Sequence, residues 1–148
     1  MKINMQQIKI KRPKVKPIYP SEDTLHKACI QWFDIQYPKL RNTRHHSPNE
    51  NSMGNRGTII NYNKKQTSIG RVAGWPDFEL YYNGGVLLVE FKTIIGRLSD
   101  NQKIVFADLQ LQGFPVYTIR TFEEFQVLIN NFIQKYCAKK EDRETNLP

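Results

Sequence analysis

The dipeptide Asn83-Gly84 constrains this chain more than any other feature. It separates two apolar and aromatic runs, Phe78-Glu79-Leu80-Tyr81-Tyr82 and Val86-Leu87-Leu88-Val89. Both residues tolerate positive φ, so the stretch reads as a β-hairpin closed by a type I′ turn. A two-residue turn fixes the register: Tyr82 faces Gly85, Leu80 faces Leu87 and Asp77 faces Glu90. Side chains alternate faces along a strand. Asp77, Glu90 and Lys92 therefore share one face at the end of a sheet. One residue more or less in the loop would move Asp77 to the other face.

Two carboxylates directly opposed are unfavourable decoration for a sheet. A divalent cation reverses that penalty, since Mg²⁺ takes one or two carboxylates together with substrate phosphate. An isolated Glu-x-Lys is more commonly a solvated stripe in which the lysine neutralises the acid. Here Glu90 closes the run Val86 to Val89, which reads as a strand buried on both faces. A charged pair in that setting is costly and points to a functional site.

The chain has 148 residues, enough for one domain with one core. No apolar run approaches the eighteen or so residues of a membrane span. The segment Met1 to Gln7 lacks the apolar stretch of a signal peptide, and a cytoplasmic location is expected. Cys29 and Cys137 have no metal-type spacing, which fits a reducing compartment and gives no structural zinc. The net charge of +8 is unevenly placed. Residues 1–20 carry six Lys and Arg and no acid, and residues 41–73 carry six against Glu50 alone. Two basic segments flanking an acidic hairpin fit a polyanionic partner.

Residues 1–20, with Pro13, Pro17 and Pro20, read as an extended basic arm or as a solubilising tail. Ser21 is an N-cap for a helix ending before Pro38, with Leu25, Cys29, Trp32, Phe33 and Gln36 on its buried stripe. Glu22 heads that stripe, although either Glu22 or Asp23 suits the helix dipole. Residues 40–47 read as a short strand, Pro48 to Gly57 as a binding or mobile loop, and Thr58 to Gln66 as helical. His45 and His46 are surface residues at a strand end or contacts for phosphate or water near a metal. Ser99-Asp100-Asn101-Gln102 is a capping box that opens a helix ending at Gly113. Gln102 either caps only or also reaches the site. Pro115 to Arg120 reads as a strand. Thr121 to Glu124 is a second capping box, followed by a helix with Phe125, Leu128, Ile129, Phe132, Ile133 and Tyr136 on its core face. Residues 138–148 read as a charged, frayed tail. The strand-helix-strand step from Lys92 to Ile119 implies a parallel neighbour, hence a mixed sheet with helices on both sides.

Gly74-Trp75-Pro76-Asp77, Glu90-Phe91-Lys92, Ser99-Asp100-Asn101-Gln102 and Gly113-Phe114-Pro115-Val116, in that order, resemble the VRR-NUC family of the PD-(D/E)xK nuclease superfamily. Glu22 and the loop His46-Ser47-Pro48-Asn49-Glu50 also resemble it. The resemblance covers about Ser21 to Ile129, within a domain of residues 21–137. Trp75 stands where the family often has an aliphatic residue.

The resemblance implies an α/β/α restriction-endonuclease-like core and a DNA endonuclease dependent on Mg²⁺ or Mn²⁺. It resembles the short stand-alone type of phage or bacterial origin, homodimeric and acting on branched DNA such as four-way junctions. The implied metal ligands are Asp77, Glu90 and the Phe91 carbonyl, with Glu22 serving a second metal or its water shell. Lys92 would orient or help deprotonate the attacking water, and Gln102 would position it or Lys92. Lys11, Arg12, Arg44, His46, Lys64, Lys65, Arg71 and Arg97 would hold DNA, chiefly through backbone phosphates. A catalytically silent DNA-binding or host-interaction module on the same scaffold is the alternative. A site-specific restriction enzyme fits less well, because no separate recognition segment is evident.

Overall fold

The computed structural model describes residues 19–47 and 56–145. Residues 1–18 of the basic arm, with Lys11 and Arg12, and residues 48–55 of the expected loop lie outside them. The element order is α1 (Glu22–Gln36), a 3₁₀ helix (Pro38–Thr43), β1 (Arg44–His46), α2 (Arg56–Ser68), β2 (Phe78–Tyr82), β3 (Gly85–Phe91), α3 (Asp100–Leu111), β4 (Val116–Ile119) and α4 (Phe122–Thr145). The four strands form one sheet in the order β1-β2-β3-β4, antiparallel except for the parallel β3–β4 pair.

The hairpin has the expected register. Tyr82 pairs with Gly85, Leu80 with Leu87 and Phe78 with Val89. Asn83 has φ 46° and Gly84 φ 78°, the positive pair a type I′ turn requires. Ser21 caps α1 by accepting the Thr24 N–H at 3.2 Å. Ser99 and Gln102 form a reciprocal capping box on α3. Thr121 and Glu124 form another on α4, each side chain accepting the other's backbone N–H.

The core lies on one face of the sheet. Phe78 and Leu80 of β2, and Leu87, Val89 and Phe91 of β3, pack against Leu25, Cys29 and Phe33 of α1 and Phe125, Ile129 and Phe132 of α4. Each such side chain contributes about 1.5–3 kcal/mol by leaving water. The alternate residues, Glu79, Leu88 and Glu90, point to the opposite face, where α3 reaches Glu90 through Gln102. This is the three-layer α/β/α arrangement with a mixed central sheet. β3 is an interior strand buried from Leu87 to Phe91, as its apolar run requires.

Four local expectations are corrected. Residues 40–43 are not strand: Pro38 opens a 3₁₀ turn that runs to Thr43, where the fixed proline φ suits the first helical position. Arg56 and Gly57 belong to α2 rather than to the loop. Gln36 is exposed, because the buried stripe of α1 stops at Phe33. The last helix also runs on through Thr145, in a segment rich in the helix formers Ala, Lys, Glu and Arg. No helix among the described residues is long and apolar enough to cross a membrane.

Arg44 ties β1 back to α1. Its guanidinium grips Asp34 with two hydrogen bonds, at 2.8 and 2.7 Å. These bonds hold the Asp34 carboxyl below its ordinary pKa. A depressed folded-state pKa adds stability above the unfolded value, which is lost as pH falls through the folded one. Asp34→Asn should therefore cost about 1 kcal/mol at pH 7, a difference that shrinks once the pH drops below about 4. Denaturant midpoints across pH check this. A deficit of the same size at pH 3, or none at pH 7, contradicts it.

Candidate active site

Asp77 sits at the mouth of β2, after the turn Gly74-Trp75-Pro76, in which Pro76 is fully buried. Its Oδ2 accepts the Phe91 N–H at 3.0 Å. Its backbone carbonyl accepts the Ser47 N–H at 3.1 Å and lies 2.9 Å from His46 Nδ1. Asp77 thus joins β1 to the end of β3. The Phe78–Val89 pair, carried one residue further, sets Asp77 opposite Glu90.

Glu90 is fully buried. Its Oε1 accepts from Lys92 Nζ at 2.7 Å and from Gln102 Nε2. Its Oε2 is buried and meets no hydrogen-bond partner among the described residues. Burial pushes the Glu90 pKa up to about 7 against the pull of the Lys92 hydrogen bond, and the charge of Asp77 adds to the rise. Burial alone would lower Lys92, but its hydrogen bond to Glu90, with charge from Glu90, Glu22 and Asp77, leaves it above its ordinary value.

Glu22 closes the far side. Its Oε2 lies 3.4 Å from Lys92 Nζ and its Oε1 accepts the Thr93 N–H at 3.4 Å. A Cβ on Gly96 would come within 3.1 Å of that Oε1, so the loop after Lys92 packs tightly against Glu22. Arg120 fastens the same loop by donating to the Thr93 and Gly96 carbonyls. Gln102 does two jobs with one amide: its Oε1 caps the Ser99 N–H at 2.9 Å while its Nε2 serves Glu90.

Five side chains, Glu22, Asp77, Glu90, Lys92 and Gln102, line one cavity of about 220 Å³, together with Phe91 and His46. Sequence reasoning missed His26, which also lines it. The His26 imidazole stacks on Phe91 at 4.3 Å and meets His46 edge-on at 4.8 Å. Burial, then the charge of His46, lowers its pKa. The signal was present, since His26 is one helical turn after Glu22 and shares its face.

The other basic residues are dispersed. Arg44 is engaged by Asp34. Lys64 and Lys65 are exposed on α2, and Arg97 is exposed on the loop after β3. Arg71 is half-buried and donates to Asn63 Oδ1 at 3.3 Å.

Among the described residues, no three His, Cys, Asp or Glu side chains converge tightly enough to hold an ion by themselves. The donor set is instead two carboxylates beside an open cavity. That suits a hard cation which keeps several waters and completes its shell with phosphate. The partnerless Oε2 of Glu90 is an acceptor for which such a cation would compensate.

No protein-family model matches the chain, and no curated protein matches it. A solved structure named "VRR_NUC domain protein" superposes with a TM-score of 0.62, covering 81% of this chain and 92% of that one at 21% identity. The likeness is one of fold, and the chain has a VRR-NUC nuclease-like fold.

Gly74 couples the aspartate turn to α3. It has φ +88°, and a Cβ there would fall 2.7 Å from the backbone of Asn101 and Gln102. Gly70 has φ +101° but nothing within 4 Å of such a Cβ. Gly70→Ala should cost about 1–2 kcal/mol from backbone strain alone. Gly74→Ala should cost about 1–3 kcal/mol more and displace Gln102. Denaturant midpoints and the Gln102 side-chain amide resonances test this. Equal costs with an unmoved amide would contradict the coupling.

Proposed function

We propose that this chain is a divalent-metal-dependent DNA endonuclease of the VRR-NUC type, hydrolysing phosphodiester bonds in branched DNA. The observation that carries the reading is the buried Glu90 carboxylate beside Asp77, with one oxygen held by Lys92 and Gln102 and the other without a partner among the described residues. Mg²⁺ or Mn²⁺ would be held by Asp77, Glu90 and the Phe91 carbonyl, with Glu22 reaching its water shell or a second ion. Such an ion supplies Lewis-acid polarisation of the scissile phosphate and acidifies a bound water.

The protein's own groups do the rest. Lys92 stands between two carboxylates, which keep its ammonium protonated. It orients the attacking water as a donor and offsets charge developing on the phosphate. Gln102 holds Glu90 so that its second oxygen stays turned to the cavity. Glu22 fixes both Lys92 and the Thr93 backbone, so helix α1 sets the lysine's position. Lys11, Arg12, Lys64, Lys65 and Arg97 hold backbone phosphates, which positions DNA without reading its sequence. Two coordinated cuts across a junction call for a homodimer.

A cleavage panel of linear, flap, splayed and four-way DNA tests this reading. Nicking should require Mg²⁺ or Mn²⁺ and favour branched forms. Asp77→Ala and Lys92→Ala, checked for folding by circular dichroism, should each lose about 10²-fold or more. Full activity in both variants overturns the site. Metal-independent binding with no cleavage of any form favours the silent module.

A further inference from the structure

A second buried carboxylate lies on the site's face of the sheet and plays no part in the metal site. Glu79 is 6% exposed. It accepts the Trp75 indole N–H at 2.6 Å, the Ser47 hydroxyl at 3.3 Å and the Tyr81 hydroxyl. The Tyr81 phenol is pushed up to about 12 by that bond. His45 Nδ1 lies 3.7 Å away. A carboxylate offers about four lone-pair directions, and the hydrogen bonds among the described residues take three of them.

Glu79 lines a cavity of about 400 Å³ with His45, Tyr62, Arg71 and Trp75. That volume is within the range of small-molecule sites. Tyr62 and His45 are exposed, and Trp75 and Arg71 are half-buried. The cavity therefore combines three aromatic rings, a guanidinium and a buried acceptor. It is also next to the proposed chemistry. Asp77 and Glu79 are one side-chain repeat apart on the same face, about 6.6 Å along extended backbone.

This combination suits a base removed from its stack. Flat rings and guanidinium planes stack on unpaired bases of any sequence. A carboxylate accepts an exocyclic amino group such as cytosine N4. A base inside a duplex cannot present its whole face or its pairing edge. We propose that this cavity binds an unpaired, amino-bearing nucleobase of the DNA strand next to the phosphate to be cut. The inference rests on the nuclease reading and deepens it: the pocket gives the enzyme a reason to prefer strands with a base free to enter.

An abasic scan tests it. A flap DNA is bound in EDTA, so that no metal-dependent cut occurs, and each flap nucleotide in turn is replaced by an abasic one. Anisotropy should show one position where base removal weakens binding roughly tenfold. Thymine, which lacks the amino group, should bind less well there than cytosine. Tyr62→Ala, an exposed change that spares the fold, should flatten that position alone. Glu79→Gln should erase the cytosine preference. A flat scan from a protein that cleaves DNA with metal overturns the base pocket and leaves the nuclease. A scan unchanged by both variants also overturns it, leaving the Glu79 network as a brace for Asp77. No binding to any DNA overturns both readings.

Discussion

The Glu90 carboxylate is buried at the end of the central strand, with Lys92 and Gln102 on one oxygen and, among the described residues, no donor on the other. Most of the surrounding structure bears on that arrangement. The type I′ turn sets the register that brings Asp77 opposite. Gly74 lets the aspartate turn close on the first turn of α3, which is how Gln102 comes within reach. Lys92 is held by β4 through its N–H to the Ile119 carbonyl at 2.9 Å and by α1 through Glu22. A buried charge left half-compensated is a poor way to stabilise a fold. Under the proposed function it keeps an oxygen acceptor ready for a cation.

The candidate site was largely legible because its parts are local patterns with strong rules. Asn83-Gly84 names its turn type, and the turn names the pairing of Asp77 with Glu90. Ser99 to Gln102 names its cap, and the capped helix follows the strand that carries Glu90. Glu22 was legible through its place on the α1 stripe. What connects these pieces was not legible. No pattern says that Gln102 can cap Ser99 and serve Glu90 with the same amide, since that depends on how closely α3 approaches.

The failures have physical reasons too. The alternating polar run before His45 looked like strand, but Pro38 and the short connection wind residues 38–43 into a 3₁₀ turn. Gln36 extended the helical stripe on paper, while the chain had already left the core after Phe33. The burial of Glu79 was not legible, because alternation alone makes no distinction between water and a second layer. Ser47, Trp75 and Tyr81 arrive from three different segments to bury it.

The central claim is that the open oxygen of Glu90 and the carboxylate of Asp77 exist to share a divalent cation. Manganese binding followed by electron paramagnetic resonance, with an uncleavable flap DNA present to complete the shell, measures that most directly. The wild-type protein should take up Mn²⁺, and Asp77→Asn and Glu90→Gln should each abolish the uptake while still binding the DNA. Uptake that survives in both variants, or none in the wild-type complex, contradicts the account.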